Sequence, residues 1–498
     1  MGFGYSSIAP SNTSIAQTVW SYRPRTLTDI QSLVNAITNN DPNLLSTLGD
    51  LPFIPAPMYA GQVSLTQVAS FISSLVQNYN AAGLIASFIN SNPYSLWGMD
   101  FVTNLIQSPY LGFTNASLIL SAASTSALAS IATSTNVPVT TILALISNSA
   151  LAATAAQGLL YGLANNYYYN KWIQTVTYNA PSITFSTNTV ISTAVLIAQN
   201  ITISSGVTVT CGTSTCYFIA QVFNNQGTVV SPVGAVAGGP SYGVTAFGGA
   251  FGGTGGGGVV IIAYTAAVGT INVNGASGQN ALVSQTGYLG AAYGGGAGVF
   301  AVVSGVTVPS GGNAGLLYGG VYGLGEPNGG GGGYGGSSAG ANGGSAIIYS
   351  FPNGNALITY LIQGVSDWWL SNVIGKAPPS VTPLLFIYGS GGGGGGNSAS
   401  GYVGGGGGGG GGGEAIIYGY DVIAGTVDAN GGIGGNGYIA GGGGGGGVAL
   451  VFYGPGGLSG TMSYSLDGGT GGVSSASTYN GQPGGTGSYL ATSVTVNG

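Results

Sequence analysis

The stretch from Tyr402 to Gly437 reads YVGGGGGGGGGGEAIIYGYDVIAGTVDANGGIGGNG. Ten consecutive glycines, Gly404 to Gly413, run directly into a compact apolar strand at Ala415 to Tyr420. Glycine loses more conformational freedom on folding than any other residue. A solid block of it beside a strong strand former therefore needs a structural reason. Two are open. The block is an exposed, adaptable loop joining strands, or it is an ordered helix of the polyproline-II type. Such a helix has three residues per turn and no internal hydrogen bonds, so it must pair with neighbours at distances that only glycine allows. The tracts Gly255–Gly258, Gly329–Gly333, Gly391–Gly396 and Gly441–Gly447 would be its partners. No Gly-X-Y period with proline runs through them, which excludes collagen.

Outward from that block the same grammar recurs. Apolar strands begin at Tyr217, Val259, Val299, Ala346, Leu384, Ala415 and Val448, most of them after a glycine-rich tract. A second short strand opening with Gly-Thr follows at Gly227, Gly269 and Gly425, ten residues after its predecessor, and at Gly460 after twelve. Units of this kind signal a stacked, solenoidal architecture. Residues 183–210 alternate short Val/Ile/Thr strands with polar turns and almost no glycine, as the opening rungs of a right-handed parallel β-helix would. The span 353–380 interrupts the repeats. Ala356 to Ile374 has helical character, Pro378 and Pro379 stop it, and Trp368 and Trp369 serve either packing or an anchor to a partner.

The first 170 residues differ. They hold nine of the 99 glycines. Ile30, Leu33, Val34 and Ile37 recur at helical spacing, as do Leu65, Val68, Phe71, Ile72 and Leu75. From Phe101 to Asn170 there is no charge, and the Ala/Ser-rich stretch over 117–164 suits close packing between helices or contact with a membrane. The expected fold is thus an α+β multidomain chain. An N-terminal α-helical domain (1–170) serves assembly and attachment, and a glycine-rich all-β domain (171–498) of parallel β-helix or β-solenoid type follows it.

Charge narrows the function. Four Lys and Arg, ten Asp and Glu and no histidine make only 3% of the chain charged, against roughly 25% ordinarily. A basic stripe for nucleic acid is missing. A surface built on Ser, Thr, Asn and Tyr changes little with pH and suits acid. With no histidine and no base to partner a serine, the expectation is a non-enzymatic chain without cofactor or metal. Glu414, Asp421, Asp428 and Asp467 read as turn residues rather than a glycosidase pair. Cys211 and Cys216 are too few for structural zinc, leaving a local disulfide or two buried thiols. Residues 1–30 lack a signal-peptide pattern.

Ser14 to Thr28, SIAQTVWSYRPRTLT, resembles a segment of tail-fibre and related structural proteins of phages and prophages. The likeness rests on Ala16, Val19, Trp20, Tyr22, Arg25, Thr26, Leu27 and Thr28. The remainder is similar in style to glycine-rich fibre-tip adhesins and to glycine-rich surface proteins of hyperthermophilic archaea and their viruses. The resemblance implies a virion-surface protein of an archaeal virus, with Trp20, Tyr22 and Arg25 in an assembly segment. The alternative is a cell-surface or filament protein of an acidophilic archaeon. Expected partners are further copies of the chain (a trimer or higher), other virion structural proteins, and a host-surface glycan, S-layer or pilus. Tyrosines set among glycines, Tyr293, Tyr334, Tyr402 and Tyr438 foremost, are the expected receptor contacts, because such a mixture gives flat faces on adaptable loops.

Overall fold

The computed structural model describes residues 139–165, 169–213, 215–231, 256–280, 354–382, 406–437, 440–475 and 480–494, with short pieces elsewhere, among them 248–251 and 291–293. The chain forms two compact units, Met1–Leu163 with Leu370–Pro379, and Ala164–Trp369 with Ser380–Gly498.

In the first unit lie α1 (Val139–Ser147) and most of α2 (Ala153–Asn165). The uncharged Ala/Ser-rich stretch that suits helix packing or membrane contact is divided here into two helices. Asn148 breaks it, because its Oδ1 accepts from the N–H of Ala150 (2.9 Å) and competes with the helical bonds. Lys376 Nζ then donates to the carbonyls of Asn148 (2.6 Å) and Leu151 (2.8 Å), satisfying acceptors beyond the end of α1. Among the described residues no helix is long and apolar enough to cross a membrane. The helices expected around Ile30 and Leu65 lie outside the described residues.

The second unit begins with α3 (Tyr169–Thr177), which straddles the composition break. Trp172 and Ile173 are fully buried in it. Trp172 Nε1 donates to Ser366 Oγ (2.8 Å) on α4 (Gly354–Trp369), which continues as a π-helical turn, Leu370–Ile374. Trp369 is buried, so it packs rather than anchors a partner.

Two parallel sheets follow. The long strands are β1 (Ile183–Phe185), β3 (Val195–Ile203), β5 (Thr215–Asn225), β8 (Gly258–Ala267), β11 (Glu414–Ile423), β13 (Val448–Ser459) and β15 (Ser488–Ser493). They pair in that order in one seven-stranded sheet. The return strands are β2 (Thr189–Ile191), β4 (Thr208–Cys211), β6 (Thr228–Val230), β9 (Thr270–Asn272), β12 (Thr426–Asp428) and β14 (Ser463–Ser465), and they pair successively in a second sheet. Each rung runs along the first sheet, turns, and returns along the second. Alternate side chains point between the sheets. Phe218, Ile261, Ile417 and Val451 meet Val209, Val229, Ile271 and Val427 in one dry core, all with zero exposure. The fold is a mostly parallel-β, solenoid-like stack, as the repeats implied.

The Gly-Thr motif has a packing cause. Thr270 N donates to the Gly227 carbonyl (3.2 Å), and Thr426 N to that of Gly269 (2.7 Å). A Cβ at Gly425 would fall on the Gly269 carbonyl. Gly269 also holds φ at +57°, where a side chain is strained. The twelve-residue offset at Gly460 follows from an irregularity in β13. Gly419 aligns with Tyr453 and Asp421 with Gly457, so β13 carries two extra residues there.

The recurrence of apolar runs at Val299, Ala346 and Leu384 implies further rungs between β8 and β11. Instead β11 pairs directly with β8, Ile417 opposite Ile261, so residues 281–405 are an insertion between adjacent rungs. Apart from Leu384, those runs lie outside the described residues. Chain can leave a stack and return at small entropic cost, since closure grows only logarithmically with loop length. Intervals in the sequence therefore did not distinguish rungs from insertion. A separate parallel pair joins β7 (Gly248–Phe251) to β10 (Ala291–Tyr293).

Candidate functional site

Beyond the sheets the rungs continue as glycine. Residues 406–413, 440–447 and 480–487 lead into β11, β13 and β15; residues 274–280, 430–437 and 467–475 lead out of β9, β12 and β14. Their backbone groups pair between tracts, at every third residue. Gly484 N donates to the carbonyl of Gly469 (2.8 Å), Gly469 to Gly444 (2.7 Å), Gly444 to Gly432 (2.9 Å), Gly432 to Gly410 (2.6 Å) and Gly410 to Ala276 (2.8 Å). Three residues along, a second chain of bonds runs Gly481, Gly472, Gly441, Gly435, Gly407, Gln279. Each bond crosses from one layer to the other. Bonds within a layer supplement them, such as Gly409 to Gly442 (2.9 Å) and Gly431 to Asp467 (2.8 Å). The period of three and the pairing only with neighbours are those of packed polyproline-II-type helices. Over Gly406–Gly413 the ordered alternative is the one this protein adopts.

Glycine is required by close approach. A Cβ at Gly444 would land on the Gly410 carbonyl oxygen, one at Gly432 on that of Ala276, and one at Gly469 on that of Gly432. Every residue of 406–413 and 440–447 is buried, Ala440 being the one among them with a Cβ, so larger side chains have no outlet there. This is why Gly406, Gly409, Gly412 and Gly413 admit no other residue, since a Cβ at each would fall on the backbone of a neighbouring segment.

The lead-out layer is different. Exposed positions recur along it, and there the sequence departs from glycine. Ser277, Gln279 and Asn280 are exposed on the first tract, Ile433 and Asn436 on the second, and Asp467, Thr470, Val473 and Ser475 on the third, most of them three residues apart. Ile433 and Val473 are 51% and 65% exposed. Asparagines fix the register between tracts. Asn436 N donates to Asn280 Oδ1 (2.8 Å), and Val473 N to Asn436 Oδ1 (2.7 Å). In the parallel row, Asn430 N donates to Asn274 Oδ1 (2.6 Å) and Asp467 N to Asn430 Oδ1 (2.8 Å). The result is a lattice of side chains held in register by backbone bonds. Columns are about 9 Å apart, three residues at roughly 3.1 Å each. Neighbouring tracts continue strands that stack at about 4.8 Å. The sequence signal was present as asparagines six apart, Asn274 and Asn280, Asn430 and Asn436, which is two turns of a three-residue helix.

No family model, curated protein or solved structure matches the chain.

The residues singled out in the sequence fall as follows. Cys211 and Cys216 form a disulfide between the end of β4 and the start of β5, both fully buried. Tyr293 ends β10, whose side chains are not described. Tyr334, Tyr402 and Tyr438, and the segment with Trp20, Tyr22 and Arg25, lie outside the described residues. Among the described tyrosines, Tyr264 stacks on Tyr420 (4.7 Å) and Tyr464 on Tyr489 (4.3 Å). Among the carboxylates, Glu414 is buried where glycine tract meets strand, and burial raises its pKa to about 8. Asp428 is also raised by burial, whereas Asp467 stands on the exposed lattice. Among the described residues no group of three or more His, Cys, Asp or Glu is placed to hold a metal ion.

Proposed function

We propose that this chain is a structural protein of an archaeal virus particle, a tail fibre, spike or turret, that projects from the particle and attaches it to the host surface. The observation that carries this reading is the pair of glycine layers. They form a stiff slab joined through neutral backbone hydrogen bonds, which neither acid nor salt weakens as it weakens ion pairs. The slab holds a side-chain lattice on its lead-out layer. Such a build suits presentation of a recognition surface better than turnover of a substrate. The tail-fibre-like segment Ser14–Thr28 supports docking to a particle through the N-terminal half.

The test is mass spectrometry of purified particles from a virus encoding the chain, followed by adsorption assays with antibody against residues 171–498. Presence in the particle and blocked adsorption are expected. Recovery of the chain only from cell envelopes or filaments would replace this reading with that of a cellular surface protein.

A further inference from the structure

We infer that the exposed lattice of the lead-out glycine helices is a recognition surface for a neutral polysaccharide, with the amides of Asn280 and Asn436 as its fixed hydrogen-bond donors. The inference rests on the attachment reading above and names the ligand class and the face that reads it.

Three features carry it. The first is preorganisation. Asn280 Oδ1 is held by the N–H of Asn436, and Asn436 Oδ1 by the N–H of Val473, although both asparagines are exposed. With each oxygen engaged by backbone, the rotamers are fixed and the NH2 groups are left on the solvent side. A donor already held in place loses little freedom when a ligand arrives. The second is charge. The exposed positions of the three tracts carry one acid, Asp467, and no base. Sulfated and carboxylated polymers would meet no counter-charge and one repulsion, so hydroxyl and ring-oxygen acceptors of an uncharged glycan are the complementary class. The third is apolar relief. Ile433 and Val473 stand 51% and 65% exposed beside these amides, offering aliphatic contact to the C–H face of a sugar. An extended polymer fits better than a single residue, because the exposed positions repeat along each tract and from tract to tract.

The expected receptor contacts thereby shift from the tyrosine loops to the glycine face. The experiment uses the full chain on an array of immobilised neutral and acidic polysaccharides, with cell adsorption and thermal unfolding in parallel. The key variant is Asn280→Asp/Asn436→Asp. Aspartate keeps the acceptor oxygen that holds the tracts in register but removes the NH2 donors. Binding to at least one neutral polysaccharide is expected, weakened at least about tenfold in the double variant, the scale of two neutral hydrogen bonds. Ile433→Ser should weaken it further, with unfolding temperature nearly unchanged. Wild-type protein that adsorbs to cells but binds no neutral polysaccharide overturns this inference and leaves attachment standing. Undiminished binding by the Asn→Asp variant also overturns it, since the amides would then serve register alone. Wild-type protein that neither adsorbs to cells nor binds the array overturns both readings.

Discussion

Replacing Gly444 with alanine tests the glycine layers at their centre. Gly444 donates to Gly432 (2.9 Å) and accepts from Gly469 (2.7 Å), and its φ lies outside the positive range, so alanine is not strained by conformation. The whole effect is steric. The new Cβ would land on the Gly410 carbonyl oxygen, which itself accepts from Gly432 at 2.6 Å. Two responses are open. The 440–447 helix moves away and loses its bonds to Gly432 and Gly469, or the Gly410 carbonyl turns and strands the Gly432 N–H. Each buried group left unpaired costs about 1–3 kcal/mol. Alanine recovers about 0.4–1 kcal/mol by restricting the unfolded chain. The net loss is about 2–4 kcal/mol, on the order of 5–10 °C in unfolding temperature. Ile433→Ala, on an outward position of the same layers, should change stability by less than about 0.5 kcal/mol. Calorimetry of both variants decides. If Gly444→Ala unfolds within about 0.5 kcal/mol of wild type, the tract is a tolerant loop and the reasoning fails.

Gly269→Ala should cost about 1–3 kcal/mol, because φ is +57° and the Cβ meets Asn225; denaturant titration measures it. Glu414 should make the protein more stable in acid. Burial raises its folded pKa from 4.5 to about 8, so the folded state binds the proton more tightly and stability falls as pH rises between those values. Glu414→Gln should flatten that slope in unfolding measured across pH. Cys211→Ala/Cys216→Ala opens a loop with sequence separation of 5 and should cost about 2 kcal/mol by chain entropy, read from the same titrations.

The sheets were legible because strands carry their own signal. Val259–Tyr264 and Ala415–Tyr420 are β-branched or aromatic runs, and the ten-residue offset to the Gly-Thr strands is the length of one rung. The insertion was not legible, since the pairing of Ile417 with Ile261 is a contact across 156 residues that no local pattern announces. The glycine tracts were legible as a choice between loop and helix. Glycine has no side chain to display periodicity, so only the partners decide. The period of three shows where side chains return, at Asn430, Ile433 and Asn436 and at Asp467, Thr470 and Val473. Hydrophobic periods of 2 and 3.6 do not detect it. The asparagine register went unread for the same reason, because its bonds run between tracts distant in sequence. The tyrosines set among glycines at Tyr334, Tyr402 and Tyr438 lie outside the described residues.

The most direct test of the account is amide hydrogen exchange, by mass spectrometry with fragmentation, over residues 404–413 and 441–447. The chains of bonds through Gly410, Gly432 and Gly444 and through Gly407, Gly435 and Gly441 predict protection comparable to that of β11 and β13, lost only with unfolding of the stack. Exchange of these glycine amides at the rate of an unstructured peptide, while β11 and β13 stay protected, would contradict it.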